Sequence, residues 1–361
     1  MPESMNDTQY FKMPESDRIL ASCSDELCKV KSAMSTPNQV PLELLFRKFR
    51  ESRISLEKLL PLLNIFNESD KNNLAIEAHR DRLYREKWFQ KLTFVCNLLN
   101  NSGIQYIFIK ILDYPYAQMS DLDILILNPE EELKALGQLV DQGFKIFGFR
   151  LLAHPLKLMA LRMDDIDPKI AVDFYPSPAW IRKKIGDNEV IFSRAQITYI
   201  GGREAKIPSP EDSLYLIGTH SYNHLRFTFA EILHGLNTIN GNFDWQYLFN
   251  LTRVYGTADS IYLYLRLIDI YSREFRHCSS VPEHIFKPYQ KSRICRKIDS
   301  WLETSRGILE FPVYVPTKIG CVYSSLYHCK TIGQHIPISD LLCDFTSHYL
   351  SLFSKLTLGK T

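Results

Sequence analysis

The order of apolar and polar positions divides the chain into three blocks. Residues 1–40 mix Ser, Asp, Glu, Lys and Met with little apolar periodicity, so they read as a flexible tail. Met-Pro-Glu-Ser occurs at 1–4 and again at 13–16, too short a match for a structural repeat. From 41 to 101 the spacing is helical: Leu42, Leu45, Phe46 and Phe49 recur at one helix face, as do Leu56, Leu59, Leu60 and Leu63. A longer helix is predicted over 69–101, stopped by Asn100-Asn101-Ser102-Gly103.

The period then switches between 2 and 3.6. Strands are predicted at 104–110 and 121–127, with a turn-rich stretch between them. Pro129-Glu130-Glu131-Glu132 opens a helix to about Gln142, since proline and acids suit the orphan amides and dipole of a first turn. Gly143 ends it, and short strands follow at about 144–150, 156–163 and 169–175. After Pro208 the pattern is helical again. Ser209-Pro210-Glu211-Asp212 reads as an N-cap, a proline at the first helical position and two acids. Helices are predicted over 210–225, 229–240, 243–255 and 258–276, and a further helical pattern is broken by Pro312, Pro316 and Pro337. The expected architecture is α+β: a mixed sheet with helices at its entrance in residues 41–207, then a helical domain in 208–361.

Composition narrows the class. A chain of 361 residues suggests about two domains, and 45% hydrophobic with 23% charged residues is ordinary for a globular protein. The formal charge of +2 gives no general attraction for nucleic acid, which is therefore not the favoured partner. Two basic runs, Arg80-Arg82-Arg85-Lys87 and Arg293-Arg296-Lys297, fall in helix-like sequence and read as solvated faces. The aromatic residues, 12% of the chain, are scattered as core packing requires. The eight cysteines lack paired zinc-site spacing. Residues 1–17 are polar rather than signal-like, and no apolar run reaches the roughly 18 residues of a membrane span. A reduced, cytoplasmic protein is expected.

The chemistry concentrates in residues 104–127. Lys110 ends one apolar strand, and Ser120-Asp121-Leu122-Asp123 opens the next. Side chains alternate along a strand, so Asp121 and Asp123 share a face about 7 Å apart. Such a pair repels unless a positive charge intervenes, and magnesium is commonly held by one or two carboxylates plus substrate phosphates. Asp173, in the alternating Ala171-Val172-Asp173-Phe174-Tyr175, supplies a third acid if its strand pairs beside 121–127. Other candidates point elsewhere. His220 and His224 share a helix face but have no zincin motif, and Asp164-Asp165-Ile166-Asp167 reads as a hairpin turn. There is no Gly-x-Ser-x-Gly elbow and no Walker-type phosphate loop.

Taken in order, these pieces resemble the nucleotidyltransferase superfamily of polymerase-β-like fold. More narrowly, they resemble an uncharacterised nucleotidyltransferase family in which Lys-Gly ends the first strand. Tyr-Pro and an Asp-Ile-Asp-Leu-Leu-Val strand follow there, then a helix that opens with Ser-Pro-Glu-Asp and carries a histidine. Lys110, Tyr114-Pro115, Asp121-Leu122-Asp123-Ile124-Leu125-Ile126, Ser209-Pro210-Glu211-Asp212 and His220 stand at those places, over residues 75–270. The resemblance implies two magnesium ions, replaceable by manganese, held by Asp121, Asp123 and Asp173. These acids would be catalytic, Lys110 and Ser120 would contact the triphosphate, and His220 would be accessory. It implies transfer of a nucleoside monophosphate from an NTP, ATP first, to an unidentified hydroxyl-bearing acceptor, with release of pyrophosphate. Where the family has glycine this chain has Ile111, and a β-branched residue does not take a positive φ cheaply. That departure motivates the alternative, a catalytically degenerate relative that senses nucleotides or binds protein.

Overall fold

The computed structural model describes residues 42–112, 117–147, 158–162, 170–180, 183–200, 203–239, 242–276, 279–304 and 313–315. The expected N-terminal tail, Tyr114-Pro115, the hairpin at Asp164-Asp165-Ile166-Asp167 and the prolines at 312, 316 and 337 lie outside them. The described chain is α+β, a small mixed sheet with many helices around it.

Helix α1 (Leu42–Glu51) buries Leu42, Leu45 and Phe49. The second helical repeat forms a 3-10 run, Leu56–Ile65, rather than the α-helix its spacing predicts, and Pro61 in its middle cannot supply the amide an α-helix needs. Helix α2 (Glu68–Asn101) starts where Asn67 accepts a hydrogen bond from the Asp70 amide. It buries one stripe that includes Leu74, Ala78, Trp88, Leu92, Val95 and Leu99. Gly103, at φ +64, turns the chain into the sheet.

The sheet orders its strands β1-β2-β5-β4-β3, with β1 Tyr106–Ile109, β2 Asp121–Ile126, β3 Phe144–Phe147, β4 Leu158–Arg162 and β5 Ala171–Tyr175. Only β2 and β5 run parallel, in a register that sets Asp123 beside Asp173. Where the flanking residues are described, β1 is shorter than the expected 104–110 and β2 ends one residue before the expected 127. Helix α3 (Pro129–Asp141) joins β2 to β3 and opens at Pro129 as expected, capped by Asn128, whose Oδ1 accepts from the Glu131 amide at 3.0 Å.

Three short elements follow β5: a ribbon of β6 (Ala179–Trp180) and β7 (Lys183–Lys184), then helix α4 (Asn188–Arg194). The Asn188 amide nitrogen lies 2.9, 3.0 and 2.7 Å from the carbonyls of Ile126, Leu127 and Pro176, joining the ends of β2 and β5. A hairpin, β8 (Gln196–Ile200) and β9 (Arg203–Ile207), comes next, with β9 against β1.

Helix α5 (Pro210–Asn223) opens on the predicted cap, and the cap does more than end a helix. Ser209 Oγ accepts from the Asp212 amide and donates to Asp212 Oδ2. Arg194 of α4 pairs with Glu211 at 2.8 Å and Asp212 at 3.3 Å. The Tyr247 hydroxyl of α7 (Trp245–Tyr255) donates to Asp212 at 2.8 Å, beneath the Arg194 guanidinium, 3.7 Å from the Tyr247 ring centre. The motif therefore latches α4, α5 and α7 together.

Helix α6 (Phe229–Thr238) begins with a reciprocal Thr228–Glu231 capping box. Helix α8 (Ala258–Arg276) lies close against α5 and α6, where Gly218 and Gly235 face Tyr264. The short α9 (Lys287–Gln290), α10 (Arg293–Thr304) and the β10–β11 pair (Arg226–Phe227 with Val313–Tyr314) complete the described chain. Its core forms one buried cluster from Leu45 to Val315. Among the described residues no helix is long and apolar enough to cross a membrane.

Two consequences for stability follow. A Cβ at Gly218 would lie 2.6 Å from Tyr264 Cδ1 and 3.0 Å from Ile261 Cδ1. Gly218→Ala should therefore cost about 1–3 kcal/mol by overpacking, against the roughly 1 kcal/mol that alanine's helix propensity favours, as read by urea unfolding. His234 of α6 is buried, with Nε2 2.9 Å from Ser213 Oγ, and burial pulls its pKa down to about 4. The unfolded chain takes up that proton near pH 6.5 and the folded chain near 4, so the neutral form carries no penalty above 6.5. The penalty grows as the pH falls, to about 3 kcal/mol at pH 4. His234→Gln should flatten that part of the pH–stability curve.

Candidate metal and nucleotide site

Residue 123 on β2 stands opposite residue 173 on the parallel strand β5, and both project to the same face as Asp121, two residues before Asp123. One carboxylate oxygen from each of Asp121, Asp123 and Asp173 lies within 4.8 Å of the others. Asp123 is 5% exposed and Asp173 2%, so these acids are held out of water, whereas Asp121 is half-buried at the strand's open end. Carboxylates so placed repel strongly, because burial removes the screening that water gives.

Part of that charge is answered from β1. The chain leaves Ile109 and turns at Lys110, which takes φ +58. The turn brings Lys110 Nζ to 2.6 Å from Asp123 Oδ1 and 3.2 Å from the Tyr175 hydroxyl, 4.9 Å above the Tyr175 ring. The ammonium is close to Asp123 Oδ1 without being aligned on it as a hydrogen bond. Tyr175, two residues beyond Asp173 on the same face, is driven well above the usual phenol range by burial, and by Asp123 and Asp173 beside it. It therefore stays neutral. The left-handed residue of this turn is Lys110, not Ile111, whose side chain packs against the core. Lysine tolerates that conformation at a cost of about 1–3 kcal/mol, so the β-branched residue after it meets no strain.

The open end is built from α2 and the residues before β2. The Ser120 hydroxyl, exposed, donates to Asp121 Oδ1 at 2.9 Å. Trp88 Nε1 donates to the Asp121 carbonyl at 3.2 Å, and the Tyr84 hydroxyl reaches the Ser120 carbonyl at 3.5 Å. An isolated bridge between Ile54 and Ala117, with the Gln118 amide donating to the Arg53 carbonyl at 2.8 Å, ties the same segment to the end of α1.

The acids fit a hard divalent cation. All three donors are carboxylate oxygens, and opposed ligands of a magnesium ion with bonds of about 2.1 Å lie about 4.2 Å apart, so small rotations close the set. Three carboxylates and one ammonium leave two negative charges, which one dication balances. Among the described residues no other group of three or more metal-ligating side chains comes together. His220 is not in this cluster; it lies on α5, half-buried and edge-on to His224, their rings 4.4 Å apart.

A cleft of about 600 Å³ lies on the other face of the sheet, lined by Phe108, Trp88, Tyr199, Ser213 and His234, and none of the acids borders it. Tyr175, Tyr84, Trp88 and Arg53 had not been singled out from the sequence. Tyr175 could have been, since it shares the pleat of Asp173; the others are brought in by tertiary packing.

No family model matches the chain, and no curated protein matches it either. Among solved structures it is similar to an antigenic nucleotidyltransferase-like protein from Paracoccidioides brasiliensis. That likeness has 13% identity and a TM-score of 0.30, over 48% of this chain and 90% of that one.

The ion pair yields a direct expectation. Lys110→Met should destabilise the fold by about 3–5 kcal/mol, because it leaves Asp123 buried beside two other acids. Lys110→Met with Asp123→Leu should recover much of that loss. Equal midpoints for wild type and the single variant in urea would show that the pair does not hold the site.

Proposed function

We propose that the chain is a divalent-metal-dependent nucleotidyltransferase. It would move a nucleoside monophosphate from an NTP, ATP first, to a hydroxyl-bearing acceptor. The observation that carries this reading is the convergence of Asp121, Asp123 and Asp173 on one sheet face, open at the Asp121 end.

Asp121 and Asp123 would hold the ion, magnesium or manganese, and Asp173 would complete the set. The bound cation would supply charge neutralisation for the triphosphate and the departing pyrophosphate. Asp173 accepts the proton of the acceptor hydroxyl as its oxygen forms a bond to the α-phosphorus. The bond from that phosphorus to the bridging oxygen breaks, and pyrophosphate leaves with the electron pair. Lys110 holds Asp123 in place and keeps a fixed positive charge beside the reacting phosphate. The Ser120 hydroxyl, bonded to Asp121, can turn to a phosphate oxygen at the exposed mouth.

A second reading has its own support. Lys110 already answers part of the charge of Asp123, as an internal cation does in a site that has given up its metal. That reading makes the chain a nucleotide-sensing or protein-binding relative without turnover. Ile111 also supports it: although the left-handed residue is Lys110, a β-branched side chain stands where glycine would let backbone amides approach a phosphate.

Thermal unfolding with each of the four NTPs, with and without magnesium, separates the two. A nucleotide at 100 times its dissociation constant should add about 2.7 kcal/mol of stability. The expected result is a magnesium-dependent rise in midpoint that Asp121→Asn/Asp123→Asn abolishes, along with release of pyrophosphate once an acceptor is present. A rise that ignores magnesium and survives the double substitution would sink the transferase reading.

A further inference from the structure

A second cleft, of about 780 Å³, opens at Ser120 and is lined by Arg50, Arg53, Arg80, Lys87 and Tyr84. Its chemistry is the reverse of the acid site next to it. Four cations line it with two carboxylates, Glu77 and Asp81, while Glu231 lies outside the lining, 4.0 Å from the Arg53 guanidinium. Glu77 is shared between the guanidiniums of Arg50 and Arg80, so one negative charge serves two positive ones. Asp81 accepts the Leu56 amide at 2.7 Å, so one of its oxygens is already engaged away from the cations.

The basic run on α2, a solvated face by sequence, is split by the helix. Arg82 and Arg85 turn to Glu57. Arg80 and Lys87, two helical turns apart, border the cleft instead. Arg53 is fixed in a different way. Its backbone takes φ +58, its carbonyl accepts from Gln118, and the Ile54–Ala117 bridge follows directly. The segment that carries Ser120 and Asp121 is thus fastened to the residue that places a guanidinium in the cleft. Ser120 belongs to both places, lining the cleft while its hydroxyl meets Asp121.

We infer that this cleft takes the phosphate of a small phosphomonoester, and that this molecule is the acceptor whose hydroxyl is presented past Ser120 to the acids. The part that names it the acceptor rests on the transferase reading above; the phosphate site does not. Guanidinium forks match phosphate oxygens two by two, and the volume is that of a small-molecule site. A net charge of +2 gives no field to gather a polynucleotide, so a compact ligand is favoured over nucleic acid.

The test uses the full chain, thermal unfolding and four ligands: ribose 5-phosphate, ribose, inorganic phosphate and a single-stranded RNA. Arg53→Asn removes the charge while keeping a residue at home in the left-handed region, and Arg80→Gln changes a side chain that is 69% exposed. Ribose 5-phosphate and inorganic phosphate should raise the midpoint and ribose should not. Either arginine substitution should weaken ribose 5-phosphate at least ten-fold. Asp121→Asn/Asp123→Asn should leave that response intact while losing the magnesium–NTP response, so the two readings fail separately. On the wild type, ribose 5-phosphate should protect Arg53 and Arg80 from phenylglyoxal, mapped by mass spectrometry. Absence of any phosphate response, a response indifferent to both arginines, or no protection would overturn the site. RNA binding that falls steeply with salt and displaces ribose 5-phosphate would overturn the ligand class.

Discussion

Asp123 and Asp173, side by side on parallel strands and nearly dry, repel each other, and the neighbourhood is organised around that repulsion. Two such charges without a partner would be costly to bury. The protein brings Lys110 in from β1 through a left-handed turn and sets beneath it the neutral Tyr175, whose hydroxyl accepts from the ammonium. The charge that remains negative is the part a bound cation would answer.

The helices around the sheet serve the same end at a distance. Arg194, Tyr247 and the Ser209–Asp212 cap form one polar knot, and it fixes where α4 and α5 leave the sheet. Asp212 is almost fully buried there, and burial, opposed by its hydrogen bonds and by Arg194, leaves its pKa raised. Every partner in the knot is therefore needed to keep a carboxylate inside. On the opposite side, α2 reaches the mouth of the site with Trp88 and Tyr84, and both grip backbone carbonyls rather than side chains. Trp88 and Tyr84 thereby hold the main chain at Asp121 and Ser120.

Much of this was legible in the residues. The Ser209 cap was read directly, because an N-cap side chain answers a purely local need; Asn67 and Asn128 each likewise accept from an amide three residues on, and the same local rule would have found them. The pairing of Asp121 with Asp123 followed from the pleat alone. What stayed hidden depends on partners far along the chain. The split of the basic run is set by Glu57, 25 residues before Arg82. The β8–β9 hairpin, absent from the elements predicted above, does carry a local sign, Gly201-Gly202 between two alternating runs. The left-handed turn at Lys110 had no sign at all, since lysine is not a residue that advertises such a bend; the tertiary pull of Asp123 holds it there.

Asn188 has one more consequence. Parallel strands have no hairpin turn to fix their alignment, so β2 and β5 could slide past each other at small cost in hydrogen bonds. A slip of one residue would carry Asp173 to the opposite face and leave Val172 or Phe174 beside Asp123. By reaching the carbonyls of Ile126 and Leu127 on one side and Pro176 on the other, a single carboxamide acts as a ratchet tooth between the two strands. The three acids, at the far end of the same strands, inherit their alignment from a side chain that carries no charge.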